Sequence, residues 1–156
     1  KGEPGGEMKL FYDASALMNV IRLCKQDAYG LLKDSLILCL TKYEIGNALW
    51  KEAVLQRRIS VEEALEVMLL VDRILEAMKI VDFIGSDQAL KLAYKLQMTF
   101  YDASYLVASA ENDSVLVTDD AKLRRKVQEN ISAVTRILKK RPVVSSSEEI
   151  LREYKP

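Results

Sequence analysis

The chain has 156 residues, 49% of them hydrophobic, a size and apolar content suited to one domain with a substantial core. Its 23 Lys and Arg balance its 23 Asp and Glu, so no overall basic field marks it as a simple nucleic-acid-binding module. It contains no histidine, which excludes imidazole acid–base catalysis, Ser-His-Asp and Cys-His triads, and histidine-ligated zinc.

The opening KGEPGGE is polar and glycine-rich without the apolar stretch of a signal segment, so Met8 reads as the natural start and residues 1–7 as an expression remnant. Residues 9–12, 36–40, 80–84 and 115–118 are short apolar runs that read as buried strands. The clearest helix between them begins at Ser60, with Glu63 placed for a capping box and Val61, Ala64, Leu65, Met68, Leu75 and Met78 as its apolar stripe. Another opens near Ser86 and carries Ala89, Leu90 and Ala93 inward. Beyond Lys122, either 134–138 or 143–144 supplies a last edge strand, and 145–147 with Glu148 starts a closing helix.

Strands alternating with helices of this length predict βα units with right-handed crossovers, and hence an α/β fold: a three-layer α/β/α sandwich on a mostly parallel sheet. Cys24 and Cys39 lack the spacing of a zinc knuckle or redox pair, which points to a reducing compartment and a role as core filler. No run approaches the roughly 20 apolar residues of a membrane helix, so a soluble, cytoplasmic protein is expected.

Four acids sit beside short apolar runs: Asp13 in LFYDASAL, Glu44 in LCLTKYEIGNALW, Asp102 in MTFYDASYLVA and Asp120 in VLVTDDAKL. Carboxylates at strand ends or first helical turns lie at the rim where an open α/β sheet binds ligands. Gathered closely they repel, and a cation relieves that repulsion; oxygen-only ligands favour Mg²⁺ or Mn²⁺. Each residue also has an ordinary reading. Asp13 suits helix capping as well as ligation, and Ser15 can bond a carboxylate, a phosphate or a backbone group. Glu44, just ahead of a helix, shares a face with Asn47 and Lys51 at i, i+3, i+7, the pattern of a solvated face, while Trp50 falls off that stripe and reads as a core or interface residue. Asp102 opens a helix whose positive end would keep it ionised. Thr118, Asp119 and Asp120 end a strand in an aspartate-rich turn. FYDAS occurs twice, at 11–15 and 100–104, and reads as similar local geometry because the flanks differ.

In combination and order these motifs resemble the PIN-domain family, most closely the VapC-type toxin ribonucleases of toxin–antitoxin systems. The matching residues are Asp13 and Ser15 in DASAL, Glu44 and Asn47 in EIGNALW, Asp102 in FYDASYLVA, and Thr118 and Asp120 in VTDD, within a resemblance running from Met8 to about Lys140. It implies a PIN-like nuclease domain over 8–141, with 142–156 a C-terminal extension packed on it. Asp13, Glu44, Asp102 and Asp120 become the catalytic, metal-binding quartet, with Ser15, Asn47 and Thr118 as supporting polar residues. The doublet leaves Asp119 open as a further metal ligand.

The resemblance also implies metal-dependent hydrolysis of RNA phosphodiesters, leaving a 5′-phosphate, on single-stranded targets. Divalent cations would offset the acidic site's charge at the scissile phosphate. Lys51, Lys122, Arg124 and Arg125, with Lys42, Arg57, Arg58 and Lys126 beside them in sequence, are candidates for RNA contacts or simply a solvated basic face. A homodimer and an inhibitory VapB-like antitoxin are the implied partners, with the helix faces around Leu49 and Leu65 as docking surfaces. The alternatives are a PIN nuclease of RNA processing without an antitoxin and an inactive RNA-binding or assembly module. A phosphotransfer domain fits less well, since the Asp13 motif lacks a D-x-D-x-T pattern.

Overall fold

The computed structural model describes residues 8–153; the expected expression remnant lies outside them. Among the described residues, five strands form one wholly parallel sheet: β1 (Leu10–Tyr12), β2 (Leu36–Ile37), β3 (Lys79–Ile80), β4 (Val115–Val117) and β5 (Val144–Ser145), in spatial order β3-β2-β1-β4-β5. Phe11 pairs with Leu36 on one side and with Leu116 on the other.

Alternation along the strands makes the three layers. Leu10, Tyr12, Val115 and Val117 bury into one core with the helices α1 (Ala14–Cys24), α2 (Ala28–Leu32), α3 (Leu40–Trp50), α4 (Val61–Ala77) and α9 (Ser147–Glu153). Phe11 and Leu116, of opposite pleat, bury into a second core with α5 (Ser86–Leu96), α6 (Phe100–Glu111), α7 (Ala121–Glu129) and α8 (Ile131–Leu138). A sheet covered on both faces accounts for strands read as continuous apolar runs.

Several expectations are corrected. Residues 80–84 are not a buried strand: β3 is an exposed edge element, and Ile84 is 93% exposed. Residues 36–40 leave the sheet early because Thr41 N–H turns back to the Leu38 carbonyl, so Glu44 stands inside α3 rather than ahead of it. Residues 134–138 are helical, and the edge strand forms at 144–145. Ser60 caps α4 through the Glu63 amide at 3.0 Å, but Val61 and Leu65 face solvent while Val71 and Ile74 fill the core. Leu90 also faces outward, where Leu92 and Leu96 are buried. Trp50 is about half exposed rather than a core residue, and Cys39 is exposed, so only Cys24 contributes to packing.

The chain runs outward from β1 through β2 to β3, then returns to the other flank of β1 as β4 and β5. The sheet therefore changes direction between β1 and β4, and a crevice opens at the carboxyl ends of such neighbouring strands. Residues 142–153 belong to this framework, since β5 pairs with β4 and Ile150 of α9 enters the first core. No helix among the described residues is long and apolar enough to cross a membrane.

Candidate active site

Asp13 follows β1 directly. Its amide bonds the Val117 carbonyl at 3.1 Å, extending the β1–β4 pairing by one residue, and its carboxylate caps α1 by accepting from the Ala16 amide at 3.0 Å. Ser15 Oγ donates to the same oxygen at 2.6 Å. Asp120 ends the neighbouring strand turn and caps α7 through the Leu123 amide at 3.1 Å. Two acids thus flank the point where the sheet changes direction, and each also caps the helix that follows it, a role the sequence suggested for Asp13 alone.

Glu44, in the middle of α3, and Asp102, in the first turn of α6, complete the cluster. All four line one cleft of about 270 Å³ together with Ala14, Ser15, Met18, Ala48 and Tyr105. The two FYDAS copies differ in form: in the first Asp13 is a cap after a strand, whereas in the second Phe100 already starts α6 and Thr99 caps it through the Asp102 amide at 3.1 Å.

Burial dominates the electrostatics. It pushes the Asp13 carboxyl above the usual aspartate range, against the hydrogen bonds from Ala16, Ser15 and Thr118 that favour its charged form. Burial likewise raises Glu44, opposed by the Tyr105 hydroxyl and reinforced by the charges of Asp13 and Asp102. Asp102 is raised by burial and then by the charge of Asp120, against the hydrogen bond to Thr99 that favours its charged form. Lys126, the one cation that favours its charge among the leading influences, has its ammonium bonded to the Gln97 carbonyl at 2.7 Å.

This donor set is all oxygen, lacks a lysine or arginine in the cleft lining, and carries mutual repulsion, features that fit a divalent cation. Among the described residues no three Asp, Glu, Cys or His side chains stand close enough to enclose an ion.

The supporting residues divide. Ser15 Oγ lies 3.5 Å from Thr118 Oγ1 and accepts from the Asp119 amide at 3.1 Å, while Thr118 Oγ1 accepts from the Asp120 amide at 3.2 Å. Asn47 is exposed and outside the cleft lining. Asp119 does not line the cleft; its carboxylate accepts from Asn19 and from Ser147. Arg124 Nη1 donates to the Thr118 carbonyl at 2.7 Å, which makes it a brace of the turn, whereas Lys51, Lys122 and Arg125 are exposed. Leu49 is buried in the core and Leu65 is at the surface.

Sequence reasoning missed Tyr105. Its ring packs edge-on against Phe11, with centroids 6.2 Å apart, and its hydroxyl donates to Glu44 Oε1 at 2.6 Å. Thr41 Oγ1 lies 2.8 Å from the same hydroxyl, and because the tyrosine proton serves Glu44, Thr41 is the donor there. The available signal was its place three residues after Asp102 on a helix, since a buried tyrosine hydroxyl needs a partner.

No family model matches the chain. A curated relative, Exonuclease VapC9 of Pyrobaculum aerophilum, is 39% identical over 103 residues, spanning 66% of this chain and 74% of the relative. The solved structure of PAE2754 from Pyrobaculum aerophilum superposes with a TM-score of 0.70 at 26% identity, covering 94% of each chain.

Proposed function

The chain belongs to the VapC family of nucleases, and from that premise we propose that it is a Mg²⁺- or Mn²⁺-dependent endoribonuclease, the toxin of a VapBC-type pair. The observation that carries this reading is the convergence of Asp13, Glu44, Asp102 and Asp120 on one cleft at the sheet's change of direction, with repulsion that a divalent cation would offset.

When bound, such an ion would activate a water for in-line attack and neutralise charge on the scissile phosphate. The chain's own residues supply placement. Ser15 and the Ala16 amide hold Asp13, and Tyr105 holds Glu44 with one oxygen turned to its hydroxyl. Asp120 has one oxygen engaged as the α7 cap. Exposed Lys122 and Arg125, in the first part of α7 after Asp120, and Lys51 beyond Asn47 are the residues proposed to meet the RNA backbone. The named partners are RNA, a second copy of the chain and a VapB-like antitoxin; Leu65 and Leu69 on the exposed side of α4 offer that partner an apolar surface.

A second reading, end-wise cutting, is favoured by the relative's name, Exonuclease VapC9. The test is cleavage of linear and circular RNA and of single-stranded DNA with Mg²⁺, Mn²⁺ or EDTA, alongside Asp13→Asn and Asp102→Asn. Metal-dependent cutting of circular RNA that both variants lose supports the endoribonuclease. Cutting confined to linear RNA supports the end-wise reading. Cutting that persists in both variants, or a 2′,3′-cyclic phosphate product, sinks both.

A further inference from the structure

Asp119 stands beside a proposed catalytic acid, yet its side chain points to a junction of three elements outside the cleft. Its Oδ1 accepts from the Ser147 amide at 2.7 Å, and its Oδ2 accepts from the Ser147 hydroxyl at 2.5 Å and from Asn19 Nδ2 at 2.6 Å. The Asp119 amide donates to Ser15 Oγ at 3.1 Å, and that hydroxyl donates to Asp13 at 2.6 Å. Ser15 and Asn19 are four residues apart on α1, so one stripe of that helix grips Asp119 through both backbone and side chain. Ser147 is buried at the start of α9, with one residue between it and the end of β5, whose Ser145 carbonyl accepts from the Thr118 amide at 2.9 Å.

We propose that Asp119 is a positioning residue: its carboxylate clasps Ser147 and Asn19, and thereby makes the C-terminal segment part of the machinery that sets Asp120 and the Ser15–Asp13 pair. A carboxylate can accept all three donors at once, because both oxygens are acceptors only. An amide in its place keeps the Ser147 N–H contact only by turning its NH₂ toward the Ser147 hydroxyl and Asn19, both of which must then reverse from donor to acceptor and give up their charge-assisted bonds. Metal ligation would require the same carboxylate to abandon three bonds and turn toward the cleft. The catalytic consequence rests on the nuclease reading; the coupling of turn to tail does not.

The experiment uses the full chain with Asp119→Asn, Ser147→Ala and the exchange Asp119→Asn/Asn19→Asp, which restores a donor–acceptor match with the roles reversed. Amide hydrogen exchange is read in metal-free protein, and initial RNA cleavage rates are read against Mn²⁺ concentration. The expected result is exchange at least about tenfold faster at the Asp119 and Asp120 amides in Asp119→Asn and in Ser147→Ala, with core amides such as Ile74 unchanged. Cleavage rates should fall by about tenfold in both, at an unchanged half-saturating Mn²⁺ concentration, and the exchanged pair should recover most of both losses.

A raised Mn²⁺ requirement in Asp119→Asn with normal behaviour in Ser147→Ala would make Asp119 a ligand and overturn the proposal. So would unchanged exchange at Asp120, or uniformly faster exchange with normal cleavage, which is the mark of a general loss of stability. A wild type that cuts no RNA removes the nuclease reading alone, because the exchange data still decide whether the clasp holds the turn.

Discussion

The hydroxyl of Tyr105 donates to Glu44 Oε1 at 2.6 Å, joining α6 to α3 across the wall of the acidic cleft. The tyrosine is almost wholly buried, and its acidity is suppressed first by that burial and then by the bond to Glu44, so it holds its proton and acts as a fixed donor. Thr41 donates behind it, and Phe11 of β1 packs on the ring. A strand residue, two helices and one proton thus fix the orientation of a single carboxylate.

Tyr105→Phe keeps the ring and its contact with Phe11 while removing that donor. Glu44 loses its partner and Thr41 Oγ1 loses an acceptor, so the expected cost is about 1–3 kcal/mol in unfolding free energy, measured by urea denaturation. Cleavage should fall by more than the change in folded fraction explains, through mispositioning of Glu44. Full activity in a well-folded Tyr105→Phe protein would show that Glu44 needs no anchor.

Stability should depend on pH in a direction set by the cleft. Asp13, Glu44 and Asp102 all have folded carboxyls raised above their unfolded values of 3.8, 4.5 and 3.8, so the folded state holds their protons more tightly. Ionising them costs stability at pH above the raised values, and that cost is relieved as pH falls through them toward the unfolded values. Glu52 has the opposite sign, lowered by its hydrogen bonds from Arg22, and loses stabilisation as pH falls below 4.5 through its depressed value. Comparing wild type with Asp13→Asn under chelating conditions isolates one cleft acid, since asparagine retains the α1 cap. The variant should be the more stable at neutral pH, with the difference shrinking on acidification. Added Mg²⁺ should stabilise wild type at neutral pH as a ligand of the folded state and stabilise Asp13→Asn less. A gap that widens toward acid would contradict the raised pKa of Asp13.

The two central strands were legible because β1 and β4 are apolar on both pleats, which only a doubly covered sheet requires. Residues 80–84 share that apolar character, but the last bond to the sheet is from the Val81 amide to the Ile37 carbonyl, and beyond it Glu111 takes the amides of Ile84 and Gly85, contacts 27 and 26 residues distant that no local pattern reveals. The apolar stripe of α4 was placed partly on Val61 and Leu65, where hydrophobicity alone does not distinguish core from surface. The four acids were legible as an ordered set, and the cleft brings them together. Asp120 was legible as the acid of the quartet while Asp119 stayed open as a further ligand; the Asp119 carboxylate is bonded by Ser147 and Asn19, which no spacing rule ties to a strand-end turn.

Leu65 and Leu69, four residues apart on α4, are 60% and 65% exposed, while Val71 and Ile74 on the same helix are buried. A charge at an exposed helical position costs little, so Leu65→Lys/Leu69→Lys should change unfolding free energy by about 0.5 kcal/mol or less at each site, whereas Ile74→Ala should cost about 2–5 kcal/mol. If α4 presents the surface for a second copy or an antitoxin, the lysine pair should lower the self-association constant in sedimentation, or weaken capture of a co-expressed VapB-like protein, while metal-dependent cleavage by the free chain is kept. Unchanged association in both measurements would remove this side of α4 from any interface. Lost cleavage with intact folding would instead place α4 on the path of the RNA.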